Sequence, residues 1–115
     1  MKKFSIALVG GSVMLAFAAM VPAHAAVDAG AAQALAKKND CFKCHAVDKT
    51  KKGPSMKKIA AKYKGKPDGQ EMAIKNMTTV GNKVKLDDGS EEEHKVIDTK
   101  DAAAIKNLAD WILSH

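Results

Sequence analysis

The stretch that decides the fold of this 115-residue chain is Cys41-Phe42-Lys43-Cys44-His45. It places two cysteines three residues apart and a histidine directly after the second. A disulfide between the two cysteines would close so short a loop that it would remove little entropy from the unfolded chain. The chain has no further cysteine, so a zinc site built on two cysteine pairs lacks its second pair.

The spacing Cys-x-x-Cys-His is the attachment motif of c-type haem. Two thiols on one turn can each add to one vinyl group of the same porphyrin, and the adjacent imidazole then lies under the iron. We therefore predict that Cys41 and Cys44 bind one haem c covalently and that His45 is the proximal axial ligand of its iron. A non-haem dithiol oxidoreductase also uses Cys-x-x-Cys. That class usually places the motif in a βαβ pattern, which this sequence lacks.

Residues 1–25 have the three parts of a secretory signal peptide: a basic start, an apolar run and an Ala-x-Ala end at Ala25. A membrane anchor is the alternative, because the apolar run is long enough to consider. Gly10 and Gly11 within the run, together with the Ala-x-Ala site, favour cleavage. We expect a periplasmic protein cut near Ala25, with one domain over residues 26–115 and no stable membrane anchor.

The expected mature domain has few large apolar side chains. Of its 90 residues, only 15 are Leu, Ile, Val or Phe, a fraction typical of disorder or of a weak core. Ninety residues nevertheless make a normal small domain, so either the chain does not fold alone or something besides side chains fills the centre. A haem would do so, and we expect the chain without haem to be largely unfolded.

Apolar periodicity predicts an all-α domain of about four helices. The expected helices cover residues 29–38, 55–64, 70–77 and 100–114. Asp98 or Thr99 can cap the last of them. Residues 81–93 are typical of a loop, in which a hairpin is conceivable but only weakly supported by Val84 and Leu86.

Positive charge is concentrated between Lys37 and Lys66, where eleven lysines stand against Asp40 and Asp48. The chain has no arginine and few aromatic residues, which argues against nucleic acid, since its recognition favours arginine forks and stacking rings. A lysine-rich face suits steering towards an acidic docking patch on a redox partner protein. A merely solvated surface remains the alternative for any single lysine.

The expected mature chain resembles the class I (monohaem) c-type cytochromes, in outline the small bacterial periplasmic type. The resemblance covers nearly all of the 90 residues. It rests on an N-terminal helix, the motif at residues 41–45, Gly53-Pro54, two middle helices, and a C-terminal helix that contains Trp111.

This resemblance implies a cytochrome c fold, with helices wrapped round one covalently attached haem. In that fold the first and last helices cross, which would place Leu35 against Leu108 and Trp111. It also implies that the backbone carbonyl of Pro54 accepts the imidazole proton of His45, which fixes the tautomer and raises the basicity of the ligand.

The sixth iron ligand is where the sequence departs from the family, which usually supplies a methionine from a loop before the C-terminal tryptophan. No such loop is present. His94 stands 17 residues before Trp111 and is, apart from His45, the one internal histidine after residue 25. We favour His94 as the distal ligand, which would make the protein a bis-histidine variant. Met77, ahead of Met72, is the alternative, and an open sixth position is the third.

The resemblance implies a one-electron carrier between redox partner proteins that is not an enzyme. Ninety residues with no obvious exposed apolar stripe make a monomer the default expectation. A second imidazole in place of methionine should lower its reduction potential, because methionine ligation raises it. The alternative function is a haem-based sensor or enzyme that binds a small ligand at a displaceable sixth position. Low-spin iron would favour the carrier, and high-spin iron would favour the sensor or enzyme.

Overall fold

The computed structural model describes residues 26–115 and, ahead of them, Gly10 alone. The predicted signal peptide therefore lies, apart from that glycine, outside the described residues. Within the described part, no helix combines the length and the apolar character needed to cross a membrane.

Four α-helices are the main regular elements of the described chain, as the all-α prediction requires. They are α1 (Ala29–Lys38), α2 (Met56–Tyr63), α3 (Gly69–Thr78) and α4 (Ala102–Leu113). A 3₁₀ turn, Cys41–Lys43, follows α1, and two three-residue strands, β1 (Lys83–Lys85) and β2 (Glu91–Glu93), lie between α3 and α4.

The strands form an antiparallel hairpin, the structure that the sequence supported only weakly. Lys83 pairs with Glu93 and Lys85 pairs with Glu91, so two opposite-charge pairs face each other across the ladder. Gly89 supplies the positive φ of the turn, at 85°. The hairpin is a small addition to a helical fold, and it delivers the chain to His94 directly after β2.

Helix α4 begins at a different cap from the one predicted. Its N-cap is Asp101, whose carboxylate accepts hydrogen bonds from the backbone N–H groups of Ala103 and Ala104 at 3.0 and 3.2 Å. The expectation that Asp98 or Thr99 caps the helix is therefore wrong. Thr99 lies two residues before this cap, and its hydroxyl accepts a hydrogen bond from the backbone N–H of Asp101 at 3.2 Å.

Helices α1 and α4 pack against each other and form the centre of the core. Ala32 and Ala36 of α1 are fully buried, in one cluster with Leu108 and Trp111 of α4. Leu35 packs against the same cluster from its edge, which confirms the predicted contact between the first and last helices. The small alanines allow the two helices to approach closely, and α4 then supplies one wall of the site.

Candidate functional site

The end of α1 and the 3₁₀ turn bring both cysteines and His45 to one place. Asp40 has a left-handed backbone, with φ of 58°, a conformation that aspartate tolerates better than most residues. The backbone N–H groups of Cys44 and His45 then both donate to the carbonyl of Cys41, at 3.2 and 3.0 Å. Both thiols are free and half-buried, and burial raises the pKa of Cys41.

The loop after the motif holds the His45 ring from below. Its Nδ1 lies 2.6 Å from the carbonyl oxygen of Pro54, and the backbone N–H of Gly53 donates to the carbonyl of Cys44 at 2.8 Å. A Cβ on Gly53 would lie 2.6 Å from Cε1 of His45, a distance that real Cβ atoms do not show. Glycine is therefore required beside the ring, a role the sequence indicated only as part of Gly-Pro.

His94 enters the site from the opposite side, directly after β2. Its backbone N–H donates to the carbonyl of Asn82 at 2.7 Å, which extends the hairpin by one bond. Its Nδ1 is buried without a hydrogen-bond partner, as is only one other side-chain atom among residues 26–115. Burial lowers the pKa of His94, and the nearby His45 lowers it further. The lowered pKa favours the neutral imidazole, which can offer a nitrogen lone pair to a metal.

The rings of His45 and His94 face each other. Their centroids are 6.1 Å apart and their planes are inclined at 46°. An imidazole nitrogen binds a metal at about 2 Å, with the ring centroid roughly 1 Å further away, so two rings on opposite sides of one metal have centroids about 6 Å apart. The observed separation matches this value.

Two adjoining cavities of about 200 and 380 Å³ surround the facing rings. Taken together, the two cavities have a volume typical of ligand and cofactor pockets. Both cavities are lined by Cys41, His45, Met77 and His94. The structure thus brings together the two cysteines, both histidines and Met77, whereas Met72 lines neither cavity.

The chain is similar to known proteins over nearly all of residues 26–115. The family model described as Cytochrome c matches residues 29–115. The chain belongs to the cytochrome c family. This cytochrome c is 40% identical over 99 residues to cytochrome c-552 of Nitrosomonas europaea, with 80% of this chain and 88% of the relative covered. It is 34% identical over 103 residues to cytochrome c-551 of Allochromatium vinosum, with 86% and 98% covered.

Solved structures show the same fold. The crystal structure of class 1 cytochrome MtoD from Sideroxydans lithotrophicus ES-1 is 58% identical, with a TM-score of 0.73 over 77% of this cytochrome c and 97% of MtoD. Wild-type Nitrosomonas europaea cytochrome c552 has a TM-score of 0.56 at 34% identity, over 71% and 96% of the two chains.

These likenesses confirm the predicted family, a class I monohaem c-type cytochrome, and its predominantly helical fold. The protein accordingly carries one covalently bound haem c with its iron and takes part in haem-based electron transfer. The side chains present fit such a group, because two half-buried thiols and two facing imidazoles border one cofactor-sized space.

The sequence did not indicate the role of Asn39, which lies at the end of α1 and links that helix to Asp98. Its buried side chain donates to the carbonyl of Leu35 at 3.0 Å and accepts from the backbone N–H of Asp98 at 2.9 Å. It thereby ties the end of α1 to the segment that follows His94. An asparagine at a helix end suggests a local cap, but no pattern in the sequence indicates a partner 59 residues away.

Proposed function

We propose that this cytochrome c is a periplasmic one-electron carrier, with haem bound through Cys41 and Cys44 and with His45 and His94 as axial ligands. The facing of the two rings at 6.1 Å, beside the two thiols, is the observation that carries the proposal. When bound, the haem supplies an iron that alternates between ferrous and ferric states. One electron arrives from a reduced donor and leaves to an oxidised acceptor, and no bond of the protein forms or breaks.

The two cysteines attach the group without a further reactant. Each thiol adds across one vinyl group, so that sulfur bonds to one carbon and the thiol hydrogen is transferred to the other. Cys41 and Cys44 stand at the two ends of the same 3₁₀ turn, which supports attachment to one porphyrin.

His45 is oriented by the loop beneath it. The Pro54 carbonyl, 2.6 Å from Nδ1, accepts the proton at that atom and leaves Nε2 as the nitrogen that can bind iron. This hydrogen bond fixes the tautomer and raises the basicity of the imidazole. Gly53 permits the approach, because any side chain there would occupy the volume of the ring.

His94 is the distal ligand in this proposal, ahead of Met77. Both line the cavity, but the ring separation gives specific support to the histidine. The backbone of Met77 is also engaged, since its carbonyl accepts from Ile97 at 2.9 Å, and Ile97 belongs to the core cluster against which Met77 packs.

Ferric-state absorption spectra of the holoprotein test the ligand assignment. We expect low-spin iron in the wild type, in Met77→Leu and in the matched control His115→Ala, and high-spin iron in His94→Ala. A far-red sulfur-to-iron charge-transfer band that disappears in Met77→Leu would refute His94 as the ligand. High-spin iron in the wild type would instead favour the sensor or enzyme.

We propose that Lys58 and Lys62 of α2 are the docking residues for an acidic redox partner. Elsewhere in the Lys37–Lys66 face, several lysines are already paired, as Lys38 is with Asp98. Lys58 and Lys62 form no ion pair within the described residues. They line a groove of about 600 Å³ between α2 and the hairpin, which supports attraction of carboxylates to this surface.

Electron-transfer kinetics with an acidic redox protein test the docking surface. In Lys58→Gln/Lys62→Gln the second-order rate constant at low ionic strength should fall several-fold, and its dependence on salt should weaken. The control Lys106→Gln removes a lysine that is paired with Asp110 on α4. An equal loss per charge removed in the control and in the double variant would show that net charge, rather than this surface, sets the rate.

The proposed location requires cleavage of residues 1–25. Asp28 supports a domain boundary close to residue 26, because its backbone N–H and carbonyl both bond to the side-chain amide of Asn107 at 2.9 Å. The intact mass of the protein from a periplasmic extract should equal residues 26–115 plus one haem, and light scattering should report a monomer. A mass that includes the first 25 residues would contradict the cleavage.

A further inference from the structure

Two ion pairs bracket His94 in the sequence. Glu92, two residues before it, accepts a hydrogen bond from Nζ of Lys52 at 2.9 Å. Lys95, the residue directly after it, donates through Nζ to a carboxylate oxygen of Asp40 at 3.0 Å. The segment that presents His94 is therefore held by charged side chains on both sides of the histidine.

Both pairs cross from one half of the site to the other. The proximal segment, residues 40–54, contains the cysteine motif and the loop under His45, and the distal hairpin, residues 83–95, contains His94. In the part of the chain that the structure describes, these two ion pairs are the hydrogen-bonded contacts between the two segments. The backbone N–H of His94 bonds to the carbonyl of Asn82, the residue directly before the distal hairpin, and not to the proximal segment.

We infer that the pairs Lys52–Glu92 and Asp40–Lys95 are positioning residues that keep His94 on the iron. The inference rests on the proposed function, because it takes His94 as the distal ligand. Because His94 directly follows β2, a movement of the distal hairpin away from the proximal segment would withdraw its ring from the iron and open the position to another ligand. That movement breaks both ion pairs, so each pair slows it.

The solvent exposure of the paired side chains sets how strongly each ion pair should slow the replacement of His94. The side chains of Lys52 and Glu92 are 58% and 48% exposed, and those of Lys95 and Asp40 are 56% and 45% exposed. Ion pairs in such surroundings are weak and are screened by salt. Loss of one pair should raise the rate of ligand replacement roughly two- to fivefold, and loss of both should raise it about tenfold.

Cyanide binding to the ferric holoprotein measures this rate. At saturating cyanide the observed rate approaches the rate at which His94 leaves the iron. The reagent is mostly uncharged hydrogen cyanide at neutral pH, so salt acts on the ion pairs rather than on the encounter. We expect Lys52→Gln and Lys95→Gln each to raise the limiting rate and the double variant to raise it most. The wild-type rate should also rise with ionic strength, whereas that of the double variant should not.

Two matched controls separate this role from a general loss of charge. Lys43 binds the same carboxylate of Asp40, at 3.2 Å, but lies within the proximal segment. Lys106 pairs with Asp110 at 2.9 Å on α4, with side chains that are 55% and 25% exposed, and neither residue lines the cavities beside His94. Lys43→Gln and Lys106→Gln should leave the limiting rate within roughly twofold of the wild type.

Exchanging the charges of Lys52 and Glu92 tests whether a restored ion pair also restores the slow replacement of His94. Lys52→Glu combined with Glu92→Lys restores an ion pair of reversed polarity, and we expect a limiting rate close to the wild-type value. Each single reversal should be fast, because it places two like charges opposite each other. Damage to the fold would not be repaired by the second substitution.

The outcomes distinguish this inference from the proposed function. If His94→Ala is high-spin and binds cyanide quickly but the Lys52→Gln/Lys95→Gln variant matches the wild type, the ion pairs have no positioning role and the ligand assignment stands. If His94→Ala retains the wild-type spectrum and rate, the proposed ligand itself is wrong. Amide hydrogen exchange of the holoprotein gives a second measurement, because exchange in residues 83–95 should accelerate in the double variant.

Discussion

Replacing Gly53 with alanine tests how closely the loop packs under His45. The added methyl group would lie 2.6 Å from Cε1 and 2.9 Å from Nδ1 of the ring. The φ of Gly53 is not positive, so the backbone would accept alanine without strain. Steric overlap with the imidazole is therefore the perturbation.

The distances around Gly53 set the expected loss in the free energy of unfolding. Ordinary contact begins at 3.4 Å, so the His45 ring has to retreat by most of an ångström. The same movement would stretch the 2.6 Å contact with Pro54 past the length of a good hydrogen bond. Overpacking costs about 1–3 kcal/mol, and loss of a hydrogen bond costs about 0.5–1.5 kcal/mol. We expect the free energy of unfolding to fall by about 2–4 kcal/mol.

Guanidinium unfolding of the holoprotein, followed by circular dichroism, measures this change. Gly30→Ala is the matched control, because its Cβ would meet nothing closer than 3.5 Å. It lies in α1, where alanine gains about 0.5–1 kcal/mol over glycine. The reduction potential of Gly53→Ala should also rise, since a weaker hydrogen bond makes the imidazole less basic. A Gly53→Ala protein as stable as the wild type, with an unchanged potential, would refute the reasoning.

Four further outcomes are expected. Leu108→Ala should lower the free energy of unfolding by about 2–5 kcal/mol, because Leu108 is 1% exposed. The control Val80→Ala should leave the free energy of unfolding nearly unchanged, because Val80 is 79% exposed. Thermal or chemical unfolding measures both changes. Asp101→Ala removes the α4 cap and should cost about 1 kcal/mol in the same assay. His94→Met should raise the reduction potential, by on the order of 0.1 V within the roughly 0.8 V range that axial ligands span; voltammetry would detect no rise if His94 were not a ligand. A hydrogen bond from the Ser90 hydroxyl lowers the pKa of Asp88, so its carboxylate stabilises the fold above its unfolded pKa of about 3.9. That contribution is lost as the pH falls further, and Asp88→Asn should show a smaller loss of stability in the same acid titration.

Features that depend on local spacing could be predicted from the sequence. The turn at residues 41–45 follows from the cysteine spacing, and α1 and α4 follow from apolar periodicity that one buried face requires. The contact between Leu35 and the α4 cluster could be predicted as well, but through the family resemblance. Local patterns and family together therefore indicated most of the helical frame.

Features that depend on distant partners could not be predicted in the same way. The strands of the hairpin read Lys-Val-Lys and Glu-Glu-Glu. The second has no apolar residue and the first has only one, which is too short an alternation to indicate a strand. Their pairing depends on charges that meet only after the chain has turned at Gly89. The same holds for Asn39, whose partner Asp98 is remote in sequence, and for the ion pairs of Lys52 and Lys95.

The charged hairpin also affects how the protein behaves at high concentration. A two-stranded sheet has an open edge on each strand, and such edges are the usual starting points for intermolecular β-pairing. Here each strand is three residues long and is built almost entirely of lysine or glutamate. A second molecule could add only a very short ladder, and would meet strong charge in doing so. The one sheet in residues 26–115 is therefore protected against edge-to-edge aggregation by the same charges that set its register.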